Sequence, residues 1–550
     1  MALLGGQLPY RDFFTTGPPL NALKSVVLLH LFGQTLIVNR VAGVLERLLI
    51  GLVLLRWLVQ LFRPWHALAA SVITILVSSG DLTDPIASYN HDAVLFAMVS
   101  GLCASFALER GSERRAVLLA MAAGAAAALS LLTKQTVGLG ALACVGLAGT
   151  ILLGKLDGKR RALVWSSGFC FGSAIPLVAV ALWLWREHIF RPFFQMLFVA
   201  GPEAKAGHAS DFVIRHILVA KDNPSWVLPA VIGLALSWRA IRRGIANGQI
   251  RATTPQERIL WVVSGILLIG TAEALAFTSL PVLNDFSKCS VYFVLIGLTL
   301  WLAGQMAWLV RSGITRREAQ AILFGAVAWS IAIMLSLSWP AFEPMVLPGL
   351  GFMLAATLDG VQDRFKWFPL LVMAAMVFLQ VRDKLERPFG FDGQVEAPAH
   401  LANAISTQPQ LRGMRLSPQM ASFLDQSVEI VQSHTQPGDP IFTYPEMGLL
   451  YPLTGRKFPT WSGSHNIDVA NDAFARQEAA RLTSARPAVI FYYRQSEATL
   501  REQERMWRGG QRSGQRDIIA SIENLVKSYR LAGTYTVTPE GPPIYVYIRP

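Results

Sequence analysis

Charge is sparse in this chain. Asp, Glu, Lys and Arg make up 15% of its 550 residues, while 53% are hydrophobic. Soluble domains carry about 25% charge. A soluble chain of this length would divide into three or four domains. The mean hydropathy of +0.40 points instead to a membrane protein. Cysteine is scarcer still. Cys103, Cys144, Cys170 and Cys289 all lie in or beside apolar segments. The polar last third has none, which excludes a disulfide or zinc framework there. No P-loop, GxGxxG or internal repeat is present, so no nucleotide-binding fingerprint is legible. The opening MALLGGQLPYRDFF lacks a basic stretch followed by an apolar one, so no cleavable signal peptide is expected.

What is present is a series of apolar runs. A bilayer core needs about 20 apolar residues per helix. Twelve candidates fit: 38–62, 66–80, 91–109, 116–133, 137–154, 162–185, 224–241, 259–279, 289–310, 319–337, 343–358 and 367–381. The apolar stretch 19–35 is interrupted by Lys24, His30 and Gln34, and is expected to lie along the membrane surface. The run MAAGAAAALS (121–130) offers small residues for close helix packing.

The net charge of +13 suits nucleic acid in principle. Its distribution excludes that partner. The loops 111–115, 154–161, 238–258, 311–317 and 363–366, with Arg63 and Arg110, hold 18 Lys and Arg. The opposite internal loops hold seven, namely Lys134, Arg186, Arg191, Lys205, Arg215, Lys221 and Lys288. The richer side is expected to be cytoplasmic. Twelve spans then put both termini outside the cytoplasm, facing the periplasm or cell exterior. An outside N-terminus needs something to deliver it, and a thirteenth, upstream span would do so.

The expected architecture is therefore an α-helical polytopic membrane protein with a small C-terminal α/β domain. Residues 1–37 form an outer loop and interfacial helix, 38–381 the transmembrane domain, and 382–550 an extracytoplasmic α/β domain. In the last of these, 420–434, 468–485 and 516–529 read as helices, with Asp468 as a cap. DPIFTY (439–444) and AVIFYY (488–493) read as buried strands, and 534–550 as a hairpin around Gly541.

The segment GGQLPYRDFFTTGPPLNAL (5–23) sets an Arg-Asp pair among aromatics, ahead of the interfacial helix. PYRDFF…GPPL, then a helix ending in LFG and Arg40 opening the next span, resembles the first outer loop of the GT-C glycosyltransferases. The similar branch is the protein mannosyltransferase and aminoarabinose transferase group. Asp92 in SYNHDAVLFAMVSGLCASFAL, LSLLTKQTVGLGAL (129–142), FEPMVLPGLGFMLA (342–355) and TYPEMGLLYPLTGRKFPT (443–460) extend the resemblance over nearly the whole chain. It implies an enzyme of the cell inner membrane that takes a sugar from a polyprenyl-phosphate donor to a lipid or glycan acceptor. It also implies that Lys134, in LTK, meets the donor phosphate. The family's first catalytic Asp lies upstream of PYRDFF, where this sequence has no counterpart. Either the true start lies upstream, which would also supply the thirteenth span, or the family's base is absent and Asp12 must substitute.

Such a transfer needs a base for the acceptor hydroxyl and cations for the departing phosphate. Asp12 and Asp92 are the candidate catalytic carboxylates. Arg40, Lys134 and Lys288 are the candidate phosphate ligands. Arg11, His91, Gln135, Glu273 and Glu343 are candidate cavity-lining residues, Glu273 because an ionisable group inside a span is costly. Glu46 and Arg47 are expected to pair with each other. Asp81 and Asp84 read as helix caps. His188, His208 and His216 show no zinc spacing, and no ligand spacing supports a divalent metal. Two other functions compete: a transporter or flippase for a lipid-linked glycan, and a non-catalytic envelope scaffold. No repeated halves favour a transporter.

Overall fold

The computed structural model describes residues 6–15, 17–78, 88–109, 111–200, 313–336, 347–360, 397–467, 471–537 and 542–550, with short stretches such as 301–306 between them. Among the described residues of the first part lie the helices α1 (Pro19–Phe32), α2 (Leu36–Leu58), α3 (Pro64–Ser78), α4 (Tyr89–Ala107), α5 (Glu113–Thr133), α6 (Gln135–Asp157), α7 (Lys159–Arg186), α8 (Phe190–Gln195), α9 (Arg316–Ser336) and α10 (Leu347–Gly360). Among the described residues, Glu113–Thr133, Gln135–Asp157, Lys159–Arg186 and Arg316–Leu335 are long and apolar enough to cross a membrane. The expected spans 224–241 and 259–279, and most of 289–310 and 367–381, lie outside the described residues.

Small residues bring the helices together. A Cβ on Gly124 of α5 would stand 2.0 Å from the Phe169 carbonyl oxygen, and one on Gly172 of α7 would stand 2.0 Å from that of Met121. Any larger residue would force α5 and α7 apart. Buried hydroxyls tie α4 to α5, which suits a setting where lipid cannot satisfy them. Ser100 donates to the Ala123 carbonyl and Ser130 to that of Ala93, each at 2.8 Å.

Charged groups gather at one end of the bundle. Arg316 reaches Asp157 at 2.5 Å, Arg161 reaches the same carboxylate at 3.4 Å, and His66 meets Asp359 at 3.1 Å. These groups come from the basic loops and their flanks. The turn between α5 and α6, with Lys134, lies at the other end of both helices.

The C-terminal part is an α/β unit. A two-residue hairpin, β1 (Gly390–Phe391) and β2 (Gln394–Val395), precedes it. Strands β3 (Ile441–Tyr444), β4 (Val489–Tyr493), β5 (Arg530–Tyr535) and β6 (Ile544–Ile548) form one sheet in the order β3-β4-β6-β5. The β3–β4 pair is parallel, with Ile441 opposite Val489, and the other pairs are antiparallel. Every residue of β3 and β4 is buried, because both faces are covered. Helix α11 (Pro418–His434) and the short α12 (Leu450–Thr454) pack with Ile441, Val489 and Phe491. Helices α13 (Asp472–Ala485) and α15 (Gln515–Val526), joined by α14 (Glu497–Arg508), pack with Phe442, Ile490 and Tyr492. The cap of α13 is Asn471, whose side chain accepts from the Phe474 N–H at 2.8 Å, and not Asp468, which lies outside the described residues. Gly541 also lies outside them.

Candidate functional site

The aromatic loop ahead of α1 is a packing device. Tyr10 is buried, holds a positive φ of 68°, donates its hydroxyl to the Gly17 carbonyl at 2.7 Å and meets Phe193 edge-on at 5.2 Å. Phe14 lies 4.1 Å from the Phe474 ring and 6.2 Å from Trp461. Its backbone N–H donates to the Trp461 carbonyl at 2.7 Å. The loop is thus held between α8 and the α/β unit.

Asp12 closes its own turn. It accepts from the Leu8 N–H at 2.7 Å and from both sides of the exposed Arg11 guanidinium at 2.9 Å. Those Arg11 hydrogen bonds, and then the Leu8 N–H, hold its carboxyl below the usual range. Its side chain keeps 29% exposure.

The buried charges converge elsewhere. Lys24 of α1 donates both to Glu46 of α2 and to Asp92 of α4. Both carboxylates are buried. The Ser88 N–H, just ahead of α4, donates to the second Glu46 oxygen at 3.2 Å. The start of a helix favours such anions, because its N–H groups point at them. Glu46 does not pair with Arg47, as adjacent residues on a helix point apart. Arg47 instead donates to the Gly43 carbonyl at 3.1 Å.

Lys134 stands between α5 and α6, where φ −145° and ψ 114° break one apolar run into two helices. Its buried ammonium donates to the Asn90 side-chain Oδ1 at 2.7 Å and lies 5.0 Å from the Tyr89 ring centre. Tyr89, Asn90 and Asp92 share the first turn of α4. That turn therefore holds Lys134 on one side and Lys24 on the other. Two lysines and two carboxylates, all wholly or largely buried, thus meet around the first turn of α4.

Of the residues singled out in the sequence, Asp92 and Lys134 come together on this turn, with His91 fully buried beside them. Gln135 opens α6 next to Lys134, and Arg40 is half-buried on α2. No hydrogen bond or ion pair among the described residues joins Asp12 or Arg11 to this cluster. Lys288, Glu273, Glu343, Asp81 and Asp84 lie outside the described residues, as do His208 and His216. Among the described residues no three His, Cys, Asp or Glu gather as metal ligands. Sequence reasoning passed over Lys24, Asn90 and Tyr89. A lysine inside an otherwise apolar helix was the available signal.

No protein-family model and no curated protein matches this chain. Among solved structures, that of ArnT from Cupriavidus metallidurans bound to undecaprenyl phosphate is similar over 97% of this chain and 88% of its own. The TM-score is 0.42 and the sequence identity 15%.

Proposed function

We propose that this chain is a membrane glycosyltransferase that moves a sugar from a polyprenyl-phosphate donor to a cell-envelope acceptor, at the outer membrane surface. One observation carries the reading: the first turn of α4, at one end of the bundle, whose Asn90 accepts from Lys134 and whose Asp92 accepts from Lys24. The motif resemblance supports it. In this reading Lys134 binds the donor phosphate as it departs, with Arg40 and Lys288 as further cations. A point charge held in a dry site stabilises the leaving group better than one in water. Asp92, tied to Lys24, takes the acceptor proton. Asp12 is a second carboxylate, on the loop that meets the α/β unit.

Undecaprenyl phosphate, the lipid in the ArnT structure, is the probe for a first test. Purified protein in nanodiscs is incubated with it and analysed by native mass spectrometry. The wild type retains the lipid and Lys134→Met loses it. Equal retention by both would remove Lys134 from the donor site. A flippase would instead move labelled lipid between leaflets without sugar transfer, and a scaffold would do neither.

A further inference from the structure

Residues 401–416 form a closed loop on the α/β unit whose outward side chains have no role in its core. An antiparallel bridge between Ala404 and Leu416, with two N–H···O bonds of 3.0 Å, clips its ends together. Asp425 of α11 fixes it further, accepting from the Ser406 hydroxyl at 2.6 Å and the Thr407 N–H at 3.2 Å. Leu411 and Met414 point inward and are buried. Ile405 is 73% exposed and Leu401 46%. Arg412 and Arg415 are also exposed, and neither pairs with a carboxylate among the described residues.

The position of the loop identifies what covers it. A Cβ on Gly413 would lie 3.7 Å from the Ile37 side chain of α2, and Leu36 packs against the core of the α/β unit. One turn further along α2 an aliphatic stripe begins: Val41, Val44, Leu45, Leu48, Leu49 and Leu52, each about half exposed. The spacing places all six on one helix face, and a stripe of this kind is covered by lipid chains. Four residues of helix span about 6 Å. The loop therefore stands about one helical turn from the start of the lipid-facing surface, at headgroup level. Aliphatic side chains flanked by arginines match that layer.

We infer that loop 401–416 is a membrane-docking element for the α/β unit, with Ile405 entering the interfacial layer and Arg412 and Arg415 binding anionic lipid headgroups. This inference does not depend on the proposed enzymatic activity. It is tested on the full chain in nanodiscs of phosphatidylglycerol and phosphatidylcholine, with the four cysteines replaced by alanine. A nitroxide is attached at Ile405→Cys or, as a water-exposed reference, at Ser433→Cys. Collision with oxygen, relative to a water-soluble nickel complex, is expected to be at least threefold higher at 405 than at 433. Adding Arg412→Glu with Arg415→Glu should bring that ratio down toward the reference. Equal ratios at the two sites, or no response to the charge reversal, would overturn the inference. Hydrogen exchange on the unsubstituted chain decides the matter if the cysteine-free protein fails to fold. Amides of 401–416 should exchange more slowly in anionic than in purely phosphatidylcholine discs, and equal exchange would overturn the inference.

Discussion

Lys24 of α1 donates to Asp92 of α4 across 68 residues of chain, and the same ammonium also reaches Glu46. One cation therefore holds two buried carboxylates together. Removing a single partner from such a set leaves uncompensated buried charge, at a cost of about 3–5 kcal/mol. Lys24→Met should lower the melting temperature of the detergent-solubilised protein by several degrees. Adding Glu46→Gln to Lys24→Met should recover part of the loss. A double variant no more stable than the single one would show that the bridge is not what holds α1, α2 and α4 together.

Asn90 faces Lys134 at 2.7 Å and orients its ammonium. Asn90→Leu keeps the lysine but removes this acceptor. Affinity for undecaprenyl phosphate should fall by about tenfold, the equivalent of one hydrogen bond to a charged group. Titration in nanodiscs measures this, and an unchanged affinity would exclude the orienting role.

The aromatic contact between Phe14 and Phe474 joins the N-terminal loop to the α/β unit, with ring centres 4.1 Å apart. Phe474→Ala removes a ring from a mostly buried cluster, a change that costs about 3–5 kcal/mol in a well-packed core. The loop carrying Asp12 should then become sensitive to limited proteolysis at Arg11, while the sheet of the α/β unit stays intact. Protease resistance equal to the wild type would show that Phe14 and Phe474 do not secure the loop.

His465 is buried against Phe442, 5.0 Å away, and burial pushes its imidazole down to about 3. It is therefore neutral in the fold below the pH at which the unfolded chain binds its proton, near 6.5. Between those values the unfolded state holds the extra proton, so stability is lost as pH falls. The slope from this group is about 1.4 kcal/mol per pH unit. His465→Phe should flatten the acid limb of the stability profile between pH 6 and 4. An unchanged limb would place the acid sensitivity elsewhere.

The sequence made some of this arrangement legible and hid the rest for physical reasons. Strands β3 and β4 read directly, because IFTY and VIFYY are continuous apolar runs and both faces of the sheet are covered. Asp92 and Lys134 stood out because each charge sits at the end of an apolar helix and within a segment that resembles a GT-C motif. The Lys24–Glu46–Asp92 bridge was not legible. Its members are 22 and 68 residues apart, and helical spacing says nothing about which helices meet. Lys24 read as an interruption of a surface helix, and Glu46 read as a partner for the neighbouring Arg47. The aromatics of PYRDFF drew attention to Asp12. In the fold they fasten that loop to the α/β unit, and Asp12 closes a turn with Arg11.

The central claim is that Lys134 and Asp92 serve one transfer reaction. The most direct test is sugar transfer in vitro, with purified protein, a panel of radiolabelled polyprenyl-phosphate sugars and envelope extract as acceptor. The wild type should transfer one of these sugars. Asp92→Asn should reduce that rate by at least about 100-fold, the usual scale for a lost general base, and Lys134→Met should abolish it. Transfer by both variants at the wild-type rate would contradict the account.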